Sequence, residues 1–237
     1  MSSLPAKTYF NWSSGKDSAL ALHYLRQDEQ YSIDLLLTSV NQHFDRVTMH
    51  GLRRELLEAQ IQSVGIDVVT LELPEQPSME VYEDILSTQI RTLHSQGYTH
   101  SAFGDIFLED LRVYREQQLT ALGMQPVFPI WQRDTRELIH EFLDLGFQAI
   151  IVCAKAACLN QDFAGRVLDN DFLKDLPASV DPCGENGEFH TFCFDGPIFQ
   201  HPITFEVGET VHRAYKNPDA NEADMGFWYC DLLPAAV

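Results

Sequence analysis

Lys7-Thr-Tyr-Phe-Asn-Trp12-Ser13-Ser14-Gly15-Lys16-Asp17-Ser18-Ala-Leu-Ala-Leu22 is the stretch whose reading decides the fold. The apolar run Lys7–Trp12 reads as a strand, and Ala19–Arg26 as the helix that follows it. Small residues turn the chain between the two. A strand that turns directly into a helix leaves unpaired N–H groups at the positive end of the helix dipole, which is an anion site. Gly15 lets the backbone approach a phosphate closely, Lys16 adds a cation, and Ser13, Ser14 and Ser18 add hydroxyl donors. Asp17 has the wrong sign for a phosphate, so a bridging magnesium ion is its natural partner. These residues point to ATP chemistry.

Outward from this stretch the alternation continues. Strand-like runs fall at Ile33–Val40, Asp67–Leu73, Ser101–Gly104 and Pro126–Ile130. In Met49–Val64 the residues Met49, Leu52, Leu56, Leu57, Ile61 and Val64 recur at helical spacing. Val81, Ile85 and Leu86 mark another helix ended by Gln96-Gly97, and Leu111, Leu119 and Leu122 mark the next, before Gly123. Asp134 and Glu137 form a capping box for a further helix that ends at Gly146. Alternating elements of this length predict an α/β fold, a mostly parallel sheet covered by helices on both faces.

After one more strand, Gln148–Ala154, the pattern changes. The polar stretch Gln161–Asp175 is followed by Pro177, Pro182, Gly184 and Gly187, and then by short strands at Glu188–Phe194, Ile203–Val207 and Phe227–Leu232. This predicts a smaller C-terminal α+β unit, with residues 1–130 as the first domain and 131–237 as the second. Phe227-Trp228-Tyr229 reads as a strand packed on the core or on a second subunit of a homodimer.

The chain has 237 residues, 45% of them hydrophobic, and a formal net charge of −19. Such a surface repels a phosphate backbone, so nucleic acid is not an expected partner. No window approaches the roughly 18 uninterrupted apolar residues of a membrane helix, and Met1–Lys7 has no signal-type apolar core. The expected location is cytoplasmic, with no membrane partner. The five cysteines form no Cys-x-x-Cys pair, which argues against a disulfide framework or a multi-thiolate zinc site.

In an open parallel sheet, ligands bind beyond the carboxyl ends of the strands. Ser13–Ser18, then Thr38, Ser39 and Asn41, and then Gly104-Asp105 all stand at such ends and are expected to face one crevice. His50, read as opening the second helix, is a candidate nucleotide contact in its neutral form, because a helix N-terminus disfavours imidazolium. Arg112 and Arg115 lie one helical turn apart after Asp105 and could bind a phosphate or a carboxylate. Asp231 has no assigned chemistry.

A second polar cluster is Cys183-Gly184-Glu185-Asn186-Gly187-Glu188-Phe189-His190-Thr191. Strand alternation would put Glu188, His190 and Phe192 on one face, so that Glu188 and His190 share a pocket as acid/base or orienting groups. Cys183 beside this cluster is a minor candidate.

The first loop is not a Walker A motif, since Phe10 stands at its first glycine position and Asp17 replaces its hydroxyl residue. It resembles the pyrophosphatase loop, Ser-Gly-Gly-x-Asp-Ser, of enzymes that split ATP into AMP and pyrophosphate, with Ser14 where many members have glycine. Together with Gly104-Asp105-Ile106, Pro129-Ile130-Trp131 and Gly184-Glu-Asn-Gly-Glu-Phe-His-Thr191, in that order, it resembles the diphthine–ammonia ligase family. The resemblance implies a Rossmann-like, adenine-nucleotide α-hydrolase-like domain joined to a C-terminal substrate domain. It implies that Ser13, Ser14, Gly15, Lys16, Asp17 and Ser18 hold ATP and magnesium, with Asp17 the metal contact. It places Thr38, Ser39 and Val40 near the adenosine, with Gly104 and Asp105 at the rim. Glu185, Asn186, Glu188, His190 and Thr191 would face the acid substrate and ammonium, and Lys16, Asp17, Glu188 and His190 would carry the catalysis.

The implied reaction adenylates a carboxylate, on protein-bound diphthine or a small acid, and ammonia then displaces AMP. Free ammonium is the expected nitrogen source, because no glutaminase module is visible. Two other readings share features with this one. A tRNA-modifying enzyme with the same loop would be expected to have a basic surface and paired cysteines. A nucleotide-binding sensor would leave Gly184–Thr191 without a purpose.

Overall fold

Tyr9 and Phe10 are both buried, and they point to opposite faces of the first strand, β1 (Ala6–Asn11). A strand buried on both faces belongs in the middle of a covered sheet. In the computed structural model, which describes residues 4–48, 50–216 and 225–235, β1 occupies that position. It pairs in parallel with β2 (Tyr31–Asn41) on one side and with β5 (His100–Ala102) on the other. The parallel array is completed by β4 (Asp67–Leu73) beside β2 and by β6 (Gln125–Val127) beside β5.

Helices cover both faces. Phe10 joins the core under α1 (Lys16–Leu25) and α2 (Arg54–Val64). Tyr9, Leu35, Leu37 and Leu71 form a second cluster with Leu86, Ile90 and Leu93 of α3 (Met79–Ser95) and Leu119 of α4 (Glu109–Ala121). Full burial of each such Leu or Phe contributes about 1.5–3 kcal/mol.

The C-terminal part begins with α5 (Thr135–Asp144), capped by Asp134, whose carboxylate accepts from the N–H groups of Arg136 and Glu137. An antiparallel sheet follows in the order β8 (Phe189–Asp195), β7 (Gln148–Lys155), β10 (Met225–Pro234), β9 (Phe205–Tyr215). A short helix, α6 (Asn170–Asp175), lies between β7 and β8. The core is continuous across both parts, with Phe10 and Leu57 in one cluster with Ile150 and Phe192. Phe227-Trp228-Tyr229 lie inside this second sheet, paired to both β7 and β9.

Three expectations change. The second helix starts at Arg54, not at residue 49. Residues 42–48 and 50–53 fold back as a strap whose two-residue strand β3 (Arg46–Val47) pairs antiparallel with the end of β2. Leu52 carries the helical period but is buried from within the strap, Gly51 at φ +66° breaks the helix before it can extend, and Met49 lies outside the described residues. Strand β6 ends at Val127, so Pro129-Ile130-Trp131 belong to a turn. Strand β9 runs on to Tyr215, well past Val207. Its polar composition hides it, because among the described residues β9 is an edge strand paired to β10.

Candidate functional site

The chain leaves β1 at Asn11 and enters α1 at Lys16, with Gly15 as the N-cap. Gly15 has no capping side chain, so the first helical N–H groups find partners elsewhere or stay open. Gly104 faces this turn from the end of β5 at very short range. A Cβ added there would lie 2.9 Å from the Asp17 carbonyl carbon and 2.9 Å from the Ser18 nitrogen. Any side chain at residue 104 would displace the loop.

The back of the loop is held by other elements. Gln60, on α2 and fully buried, uses its whole carboxamide. Its Nε2 donates to the carbonyls of Ser14 (3.0 Å) and Cys193 (2.6 Å), and its Oε1 accepts from the Trp12 indole (2.7 Å). The Cys193 N–H on β8 also donates to Ser14 O at 2.9 Å. Two donors therefore fix the Ser14 carbonyl while Ser14 itself is held at φ +70°. The Thr191 hydroxyl accepts from the Lys16 N–H at 3.0 Å. The Lys16 ammonium, 3% exposed, donates to both Asp17 oxygens at 2.8 and 2.6 Å and to the Cys183 carbonyl. Burial works against this ammonium, but the adjoining Asp17 carboxylate outweighs it and raises the lysine pKa.

A cavity of about 300 Å³ opens on the front of the loop. Ser13, Asp17 and Ser18 line it from the loop, Ser39 from β2, Thr48 and His50 from the strap, and Gly104, Asp105 and Glu185 from the far side. Its other end is apolar, walled by Tyr9, Leu37, Leu71, Leu86 and Ile90. Arg115 of α4 lines it too, ion-paired to Asp105 at 2.7 Å and lying over the Phe103 ring at 4.2 Å.

Glu185 is the carboxylate of the second motif that reaches this cavity. Its Oε1 accepts from the N–H groups of Ile106 (2.7 Å) and Phe107 (3.3 Å). Burial first, and then the negative charge of Asp17, raise its pKa to about 7. His50 is held in one tautomer, because its Nδ1 lies 3.0 Å from the Thr191 carbonyl, and a carbonyl only accepts. Its ring lies 5.0 Å from that of His190. Burial and the mutual proximity of the rings lower His50 to about 3, and burial and Lys16 lower His190 to about 4. Both imidazoles are neutral at physiological pH.

Several sequence-derived candidates therefore sit behind the cavity wall. Ser14, Gly15 and Lys16 form the back of the loop. The Thr38 hydroxyl donates to the Trp12 carbonyl at 2.9 Å, and Val40 is core. Neither Glu188 nor His190 lines this cavity. Glu188 precedes β8, and its oxygens accept from Asn186 N (2.9 Å), Asn186 Nδ2 (3.1 Å) and Asp181 N (3.1 Å), which closes the turn. Asn186 and Glu188 thus satisfy each other. Cys183 is buried, its thiol donates to the Thr135 carbonyl, and burial pushes its pKa well up. Arg112 lies over Trp131 and pairs with Glu116 rather than reaching the cavity.

Sequence reasoning missed Gln60, whose signal is a carboxamide on the buried face of α2 beside Leu56, Leu57 and Ile61. Among the described residues, no helix is long and apolar enough to cross a membrane, and no group of three or more His, Cys, Asp or Glu could hold a metal ion.

A parallel sheet with a glycine-capped turn into a helix at its carboxyl edge, closed from behind by an antiparallel sheet, defines a two-part α/β protein. Residues 6–126 match the diphthamide synthase N-terminal domain, and residues 134–217 match the diphthamide synthase C-terminal domain. The chain belongs to the diphthamide synthase family. Over 113 residues, 46% of its length, it is 34% identical to the diphthine–ammonia ligase of Bos taurus and 33% identical to that of Homo sapiens. The diphthine–ammonia ligase of Danio rerio is 34% identical over the same length. The matched segment spans 42% of the bovine and human proteins and 44% of the zebrafish protein, less than half of each relative.

Proposed function

We propose that this chain is an ATP-dependent ligase that joins ammonia to a carboxylate, releasing AMP and pyrophosphate. The observation that carries the reading is the convergence of two motifs: Ser13, Asp17 and Ser18 line one wall of the cavity and Glu185 another. Family membership supports ligase chemistry, and diphthine, named in the relatives, is the leading acid substrate.

In this reading the first part, to about residue 130, holds the nucleotide and residues 131–237 present the acid. The apolar end of the cavity takes the purine, and the loop takes the phosphates at the positive end of α1. Asp17, Asp105 and Glu185 all face the cavity, so its carboxylates alone would repel a triphosphate. A magnesium ion fits this donor set only if phosphate oxygens complete its shell, with Asp17 as the protein ligand. When bound it would neutralise charge on the departing pyrophosphate. Lys16 adds positive charge from behind the loop while it holds Asp17 in place.

The bond order of the reaction is simple. A carboxylate oxygen attacks the α-phosphorus and pyrophosphate leaves, giving an acyl-adenylate. Ammonia then attacks the acyl carbon and AMP leaves. The ammonium ion must first lose a proton, and Glu185 is placed to take it, being about half ionised near neutrality. His50, which lines the cavity, and His190 beside it are too weakly basic for that task.

The test is a product assay with ATP, magnesium, ammonium and either protein-bound diphthine or a panel of small acids. AMP and pyrophosphate in acid-dependent, equal amounts are expected. ADP and phosphate as products, or ATP bound with no turnover under any acid, would overturn the reading.

A further inference from the structure

Asp231 stands near the end of β10, beyond the last residue matched by the family, yet it is tied to the cavity's rim. Its Oδ1 lies 2.8 Å from Arg46 Nη1 and 3.1 Å from Arg53 Nε, and its Oδ2 lies 2.6 Å from Arg53 Nη2. Arg46 lies in β3 and Arg53 is the last residue of the strap, and the two pair with each other as an isolated antiparallel bridge. Arg46 also donates to the Gly51 carbonyl at 2.6 Å. One carboxylate thus closes the strap at its base while a guanidinium holds its tip.

The residues delivered by this arrangement are Thr48 and His50, both of which line the cavity. His50 sits directly over the phosphate loop, its Cε1 2.9 Å from where a Cβ on Gly15 would be. The strap is also anchored by Val47 and Leu52, which are buried in the core, by the pairing of β3 with β2, and by His50 Nδ1 against the Thr191 carbonyl. Its own ladder includes Val47 N to Leu52 O (2.8 Å), Gly51 N to Val47 O (3.0 Å) and His50 N to Thr48 O (2.8 Å), and Thr48 N donates to Ser39 O (3.1 Å). Gly51, at φ +66°, packs against the Tyr229 ring of β10, where a Cβ would lie at 3.2 Å. Both the charged and the aromatic contact come from the same C-terminal strand.

We propose that Asp231 is a positioning residue that, through Arg46 and Arg53, sets the strap so that His50 covers the phosphate loop. Its carboxylate is held below the usual range: burial opposes the charge, but the hydrogen bonds of Arg53 and Arg46 outweigh it. The clamp is therefore charged across the physiological range. Because it joins β10 to a wall of the cavity, the second sheet shapes the front of the site as well as the back of the loop. The ligand side of this inference rests on the proposed nucleotide reading.

The experiment is a double-mutant cycle on ATP binding, Asp231→Asn with His50→Ala, joined to amide hydrogen exchange of the full chain. Asp231→Asn is expected to weaken ATP binding about fivefold or more, and by less than about twofold when His50 is already Ala, since residues acting in series are non-additive. Exchange at the Val47 and Gly51 amides is expected to quicken, with that of Ile151 on β7 unchanged. Equal ATP penalties in both backgrounds, or unaltered strap exchange, would overturn the proposal. If the parent chain itself binds no ATP, the nucleotide reading falls. The positioning role then stands if the strap amides quicken and fails if they do not.

Discussion

Ser13–Ser18 and Gly184–Thr191 each carry five polar side chains, but the structure uses them in opposite ways. The first turns Ser13, Asp17 and Ser18 outward to the cavity. The second turns most of its groups inward: Asn186 and Glu188 close their own turn, Thr191 and the Cys183 carbonyl hold Lys16, and only Glu185 reaches the cavity. The difference teaches that a motif can serve chemistry by building the far wall of another motif. A carboxylate's neighbours, not its presence in a dense cluster, decide whether it is free to act.

The largest expected effect separates the two glutamates. Glu185→Gln keeps an oxygen for the Ile106 N–H but cannot take a proton, and turnover should fall by about 10²–10⁴-fold, the usual worth of a general base. The same change has a sign in stability. Glu185 is raised to about 7 when folded, so its contribution is present at acid pH and is lost as pH rises through 7. Thermal melts from pH 5 to 8 should show Glu185→Gln gaining on the parent as pH rises.

Next in size is the loop's support. Gln60→Met matches the side chain in length but leaves the Trp12 indole without its partner and removes one donor from the Ser14 carbonyl. A cost of about 1–3 kcal/mol in denaturant unfolding is expected, with ATP affinity weakened at temperatures where the variant is folded. Ser63→Ala, on the same helix but bonded to His201 rather than to the loop, should leave ATP affinity unchanged.

Glu188→Gln places an amide against N–H donors and should cost about 1–3 kcal/mol of stability with ATP affinity preserved. A loss of ATP binding there, without unfolding, would erase the contrast between the motifs. The smallest effect is a gain. Ser14 is at φ +70° with its hydroxyl buried and unpartnered among the described residues, so Ser14→Gly should stabilise the chain by about 1 kcal/mol. A melting temperature unchanged or lowered would show that this hydroxyl has a partner in solution.

The first strand–turn–helix and the parallel half of the fold were legible because their signals are local: a strand, a small-residue turn and a helix within sixteen residues, repeated by alternating periods. The strap was misread as helix because Leu52 and Leu56 keep helical spacing across a break that only the backbone of Gly51 reveals. The supporting contacts were illegible for another reason. Gln60 meets Cys193 across 133 positions, and Asp231 meets Arg53 across 178, and no local period encodes such pairs. The choice between Glu185 and Glu188 likewise depended on which turn atoms each could reach, a matter of three residues in sequence and of tertiary packing in space.

The most direct measurement is the titration of the Glu185 side-chain carboxyl, followed by carbon NMR with and without ATP and assigned by its loss in Glu185→Gln. A midpoint near 7 that moves upward when ATP is added is expected, because the triphosphate brings further negative charge to the same cavity. A Glu185 midpoint that stays in place at saturating ATP would contradict the convergence of the two motifs on one site.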